Sequence, residues 1–359
     1  MYKSIQACRG LAALQVALYH LGAGLAAPKY LNSDLFLRAF KFGNSGVEFF
    51  FVLSGFIITL IHRRDFGTGL KSSAEFAWKR AIRVFPTYWL ILGALSVVCL
   101  LTPSLWVAVP HDFTSILETV ALLPRDKTVV GGTGAQVLIV AWTLQYEMAF
   151  YAFVAVLILS RPLAAVLGFA FLYNVLGCSG GGCTFPQAFF ANHLILLFLL
   201  GAAIAFIPKL TMSLPWALAT AVLGLAGFLL LAACDVAGFP VLQPWRSLSY
   251  GVCFSVLLLG LLRAEDRGYI VGESGWLQLL GAASYTLYLL HFPLINLLCK
   301  VAVAAGLRGN AGAAAAFVTI FAVVMAVAFG FYRLVEKPLL GWLSALRPRN
   351  AHLPLAQRS

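Results

Sequence analysis

RGLAALQVALYH, residues 9–20, sets an arginine and a histidine at the two ends of ten residues that carry no formal charge. The interval is mostly apolar, holds no proline and has its one glycine at its very start, so it reads as a helix. Eleven residues at about 100° each return to nearly the same azimuth, so Arg9 and His20 share one face about 16 Å apart. An arginine near a helix end can snorkel to water. A histidine beyond mid-helix is too short to do so and needs a partner inside the protein.

The surroundings make that need acute. The chain of 359 residues is 61% hydrophobic and 11% charged, against about 25% charged in soluble domains, which is a membrane composition. Ten apolar runs approach the length of about 20 residues that a span requires: roughly 5–25, 44–62, 86–104, 138–159, 162–177, 188–207, 214–234, 245–263, 277–299 and 311–334. The fifth is short, which leaves a re-entrant piece as the alternative to a tenth span. The expected fold is all-α, a polytopic membrane helical bundle of about ten transmembrane helices. Seventeen of the 25 Lys and Arg residues then fall on the side that holds both termini, and eight on the other. Cytoplasmic loops retain basic residues, so both termini are expected in the cytoplasm. The net charge of +12 is thereby a topology signal, and no soluble basic face suited to nucleic acid exists.

Nothing divides the chain. A single transmembrane domain is expected over residues 1–340, with a short polar cytoplasmic tail over 341–359. Lys3, the first apolar stretch and AGLAA at 23–27 imitate a signal peptide, but Arg9 interrupts the apolar region too early for one. Five of the seven cysteines lie in the apolar runs and act as small hydrophobes. Cys178 and Cys183 instead flank a glycine-rich outer loop, GCSGGGC, as a local disulfide or as two free thiols. No residues complete a zinc ligand set, so no metal is expected. With no soluble domain to do chemistry, the reaction has to use the spans and their short loops.

Ionisable groups within spans face a bundle interior or a water-filled cavity by default. In GNSGVEFFFVLSGFII (43–58), Glu48 opens an apolar run from the outer side, where an interfacial position would cost little, and Ser54-Gly55 reads as small-residue helix packing. In FAWKRAIRVFPTYWL (76–90), Lys79 reads as an interfacial anchor, whereas Arg80 and Arg83 share a face at i, i+3 in a geometry suited to phosphate oxygens. In AWTLQYEMAFYAF (141–153), Glu147 stands between Thr143 and Tyr151 with no basic residue on its own helix, so His20 or Arg9 is a candidate partner. Ser284, Tyr288 and His291 form one polar stripe in LGAASYTLYLLHFPL (280–294). For that stripe, for Asn192-His193, and for Arg333, Glu336 and Lys337 in YRLVEKP (332–338), packing and local ion pairs explain the residues as well as function does.

Taken in order, RGLAALQVALYH, GVEFFFVLSGF, RAIRVFPTYWL, WTLQYEM, SYTLYLLH and YRLVEKP resemble acyltransferase family 3, the integral-membrane acyltransferases that modify bacterial surface glycans. IQACRGLAAL and WTLQYEM are most similar to its exopolysaccharide O-acetyltransferase branch. The resemblance implies a multi-pass protein of the bacterial cytoplasmic (inner) membrane. It would move an acetyl group from cytoplasmic acetyl-CoA, or another acyl-CoA, to a hydroxyl of a surface glycan or lipid-linked saccharide. It implies His20 and Arg9 as the catalytic signature pair, Glu147 as the family's glutamate, and Arg80 and Arg83, with Arg9 nearby, as the acyl-CoA site. Glu48 falls where many members carry an acidic residue, and Glu48, Tyr151, Ser284 and His291 are the acceptor-side candidates. No permanently bound cofactor is implied. Some members carry a fused extracytoplasmic esterase-type domain, which is absent here, so direct transfer or a separate extracytoplasmic partner protein is expected. A transporter also has many spans and buried charges, but the halves show no repeat and no paired broken helices.

Overall fold

The computed structural model describes residues 2–178, 182–209, 212–239, 243 and 245–345, with the side chains of 104 and 107 left aside. The described residues form helices and no strand. In chain order they are α1 (Lys3–Ala26), α2 (Leu35–Ala39), α3 (Gly46–His62), α4 (Leu70–Leu101), α5 (Phe113–Val120), α6 (Lys127–Val130), α7 (Trp142–Leu159) and α8 (Arg161–Cys178). There follow α9 (Gln187–Phe190), α10 (Leu194–Phe206), α11 (Leu214–Ala237), α12 (Arg246–Asp266), α13 (Gly275–Ala282), α14 (Ser284–Ala304), α15 (Gly309–Phe331) and α16 (Lys337–Ala345). Of the tail expected over 341–359, residues 346–359 lie outside the described residues.

Nine helical segments among the described residues are long and apolar enough to cross a membrane. Arg161–Cys178, the short fifth run, is one of them. The long helix outside that set is α1, whose 24 residues span about 36 Å. Arg9, Gln15, Tyr19 and His20 dilute its apolar content. Its position compensates: α1 packs against α2, α3, α12, α13, α14 and α15, so its polar groups meet protein on most sides.

Small residues bring the helix backbones together. A Cβ on Gly55 of α3 would stand 2.0 Å from the Phe198 carbonyl oxygen, and one on Gly201 of α10 would stand 1.8 Å from that of Val52. Gly224 and Gly260 make the same reciprocal approach between α11 and α12, as do Gly10 and Gly281 between α1 and α13. In lipid, where apolar surface gains little by leaving the solvent, such close approach is a main source of helix–helix affinity.

The segment between α1 and α3 departs from a simple outer loop. The backbone of α2 lies against Gly22, the 3-10 turn Lys41–Ser45 lies against Gln15 and Tyr19, and Gly46 meets the carbonyl oxygen of Ala12. Thus α3 begins beside the middle of α1. Glu48, expected at the interface, is instead 3% exposed.

The polar stretch 105–137 is folded over the ends of α4 and α7. Asp112 accepts from the Ser115 amide at 2.8 Å and caps α5. Tyr88 and Trp89 of α4 donate to the carbonyls of Thr119 and Val120 at 2.7 and 2.9 Å. Gln145 of α7 donates to the Leu123 carbonyl at 3.0 Å. A disulfide joins Cys178 to Cys183 and closes the loop after α8, deciding between the two states that the sequence left open.

The glycine contacts carry a prediction. Gly201→Leu should force α3 from α10 and destabilise the protein by about 3 kcal/mol or more. Gly93→Leu on α4, with nothing within 4 Å of its Cβ, should be neutral. Thermal unfolding in detergent, followed by size-exclusion chromatography, reads both.

Candidate active site

Helices α1, α3, α4, α7 and α14 enclose a cavity of about 270 Å³. Its wall carries three guanidinium groups, from Arg9, Arg80 and Arg83, against one carboxylate, Glu147. A site so charged favours an anionic occupant.

Each charge is held differently. Arg9 donates to Gln6 and to Ser284, both at 3.3 Å. The guanidinium of Arg80 lies 5.7 Å from the Phe76 ring centre and 5.9 Å from that of Tyr151. Its Nε is buried and meets no acceptor. Arg83 lies over Tyr285 and donates to Glu336 at 3.3 Å. Glu336 is fully buried in the π-helical turn Tyr332–Glu336 that joins α15 to α16, and it also accepts from the Thr286 hydroxyl. Single π-helical turns inside α-helices occur often at functional sites. Glu147 accepts from Ser54 at 3.2 Å and from the Tyr151 hydroxyl.

The histidines stand just behind this cavity. Tyr288 lines it, with its hydroxyl 2.8 Å from Thr143 Oγ1 and 3.2 Å from the Val140 carbonyl oxygen. The Tyr288 ring centre is 5.7 Å from that of His291, and His291 Nε2 is 3.1 Å from His20 Nδ1. The Phe292 ring stands nearly perpendicular to that of His20, with ring centres 5.3 Å apart. One aromatic ring therefore separates the arginine-lined cavity from the histidine pair.

The acyltransferase domain family matches this chain over residues 2–333. The chain belongs to acyltransferase family 3. It is 32% identical to the exopolysaccharide production protein ExoZ of Rhizobium meliloti (strain 1021) over 316 residues, covering 84% of this chain and 90% of that protein. No solved structure matches it. This multi-pass membrane protein is therefore an acyltransferase, and the cavity and its histidines are its candidate active site.

Of the residues singled out in the sequence, Arg9, Arg80, Arg83, Glu147, Tyr151 and Ser284 line one cavity. His20 and His291 pair beside it. Two of the carboxylates are held otherwise than expected. Among the described residues Glu147 makes no hydrogen bond to His20 or Arg9, although its charge acts on Arg9; its hydrogen bonds come from Ser54 and Tyr151. Glu48 accepts from Ser247 at 2.9 Å and lies 3.9 Å from Arg246, which binds Asp235 at 2.6 Å. It belongs to that separate ionic cluster and not to the cavity. Tyr285 was missed as a cavity group, whereas Glu336, named in the sequence with a local ion pair as one reading, lies behind the wall and holds Arg83. Among the described residues, no group of three or more His, Cys, Asp or Glu is placed to hold a metal.

The Arg83–Glu336 pair is unequal: Arg83 is 37% exposed and Glu336 0%. Removing the arginine strands a buried carboxylate, whereas removing the charge of Glu336 leaves an arginine that can reach water. Arg83→Met should cost about 3 kcal/mol of stability, and Glu336→Gln much less. The double variant should recover the stability of Arg83→Met without recovering its activity. Unfolding midpoints and acyl transfer, measured on the same preparations, check this.

Proposed function

We propose that this acyltransferase moves an acetyl group from acetyl-CoA to a hydroxyl of an exopolysaccharide across the bacterial cytoplasmic membrane, with His20 at the reacting atoms. The observation that carries the reading is the arrangement of charge: three guanidinium groups line a cavity whose wall at Tyr288 meets His291, the ring paired with His20. The cavity is small beside drug-sized sites of about 300–1,000 Å³. It suits a slender thioester arm, with the phosphates held at Arg80 and Arg83 of its wall. The acceptor class follows from the likeness to the exopolysaccharide production protein. The topology rests on the asymmetry of Lys and Arg and on the Cys178–Cys183 disulfide, whose loop belongs in an oxidising compartment.

The chemistry is an acyl transfer with simple bookkeeping. The acceptor oxygen attacks the thioester carbonyl, His20 takes its proton, the C–S bond breaks, and the proton leaves on the sulfur of CoA. A brief acyl-histidine would serve the same exchange in two steps. Glu147, bonded within the cavity wall, acts beside the donor and not on the imidazole.

His20→Ala and His20→Gln should remove ester-linked acetate from purified exopolysaccharide when each replaces the wild type in a deletion strain at matched membrane levels. Acetate restored by either variant would overturn the role of His20. A wild-type protein that restores no acetate would overturn the acceptor.

Arg80→Ala should leave the fold intact, because the guanidinium has only aromatic faces to lose. It should raise the KM for acetyl-CoA about tenfold, the loss of one charge-assisted contact. A CoA-release assay on reconstituted protein reads it, and an unchanged KM would place the phosphates elsewhere.

A further inference from the structure

We propose that His291 is a positioning residue that fixes the tautomer and plane of the His20 ring, leaving Nε2 of His20 as the atom that meets the acceptor hydroxyl. The proposal deepens the reading of His20 given above and rests on it for its chemical meaning.

The hydrogens of the pair can be assigned by elimination. His291 Nδ1 lies 3.1 Å from the carbonyl oxygen of Leu287. A carbonyl oxygen only accepts, so that nitrogen carries the hydrogen. A neutral imidazole has one N–H, which leaves Nε2 of His291 with a lone pair. Facing this lone pair at 3.1 Å is His20 Nδ1, which also lies 3.0 Å from the carbonyl oxygen of Val16. Two acceptors converge on one nitrogen, so His20 Nδ1 carries the hydrogen and shares it between them. The opposite assignment would set lone pair against lone pair at both contacts.

Nε2 of His20 is then the free base. It makes no hydrogen bond among the described residues, and it is not one of the fully enclosed unpaired atoms of the protein. His291, by contrast, is 0% exposed and has both nitrogens engaged. An enclosed ring with no free nitrogen cannot reach a substrate, and its remaining use is to orient its neighbour. Each ring is further anchored to the carbonyl four residues earlier on its own helix, so the pair also locks the relative rotation of α1 and α14.

The arrangement works in the direction the reaction needs. When the acceptor O–H gives its proton to Nε2, the ring becomes an imidazolium and its Nδ1–H becomes a stronger donor. The Val16 carbonyl and the His291 lone pair are already in place to receive it. The proton then passes to the departing sulfur and the neutral tautomer is restored. No other acid or base is consumed.

The test reads the tautomer directly. Full-length protein, labelled with ¹⁵N-histidine and held in lipid nanodiscs, gives nitrogen shifts for His20 and His291, assigned from single-histidine variants. Both rings should be protonated at Nδ1 and bare at Nε2. Protonation of His20 at Nε2 would overturn the proposal even if acetate transfer were intact. A failure of the acetylation reading would leave these shifts as they are, so the two can be told apart.

Kinetics of CoA release supply the second arm. His291→Gln sets an amide oxygen where Nε2 stood and should keep transfer within about tenfold of wild type. His291→Leu keeps the bulk but offers no acceptor, and should lower kcat about 100-fold with the KM for acetyl-CoA unchanged. Equal rates in the two variants, or a loss confined to KM, would assign His291 to packing alone.

Discussion

A polar group surrounded by hydrocarbon must find its partner inside the protein, and α1 carries more such groups than its length can hide. Arg9, Gln15 and His20 are each satisfied by a different neighbour: Ser284 on α14, Ser45 at the entry to α3, and His291 on α14. These bonds require α14 on one side of α1 and the start of α3 on another. Gly24 permits the first approach, and Gly43 and Gly46 the second. The cavity is bounded by these same helices, joined by α4 and α7. The demand that α1 be satisfied and the existence of a polar site are thus one fact.

Ionic clusters are placed with similar economy. Arg83, Glu336 and Thr286 tie α4 to α14 and to the turn after α15. Arg246, Asp235, Tyr250, Ser247 and Glu48 tie α11 and α12 to α3. Buried ion pairs add little net stability because desolvation offsets their attraction. What they supply is direction, since a charge in lipid tolerates few orientations of its partner. Through the first cluster, a side chain of the cavity wall is oriented by a residue 253 positions away in the chain.

The sequence disclosed the faces of helices better than their neighbours. Periodicity alone put Arg9 with His20, Arg80 with Arg83, and Ser284 with Tyr288 and His291, and the stripe of α14 does meet α1 through its first and last members. The family signature was legible because it is spread over six short phrases in order. The partners of Glu147, Glu48 and Glu336 were not legible. Helical pitch says which way a side chain points from its axis and nothing about which helix lies there. Glu48 misled for a second reason: the connection between the first two apolar runs packs along α1 through Phe36, Leu37, Gly43 and Gly46 and carries the start of α3 inward.

The ring of Tyr288 is the point at which these constraints act on the chemistry proposed here. Its hydroxyl is held by Thr143 and by the Val140 carbonyl, so the ring is tethered at its far end. Phe50, which meets Tyr288 edge-on with ring centres 5.9 Å apart and also lines the cavity, has no polar tether. A thioester seated among the arginines would come near His20 past this pair of rings. In the proposed reaction, such a wall would keep water in the cavity from His20. That separation matters because a general base able to activate a sugar hydroxyl is equally able to activate water, and hydrolysis would waste every donor that arrived. An acyl transfer across a membrane therefore needs its base close to the donor but walled from the donor's solvent. Here the path from the cavity to His20 passes through Tyr288, held at its hydroxyl end, and then through the enclosed ring of His291.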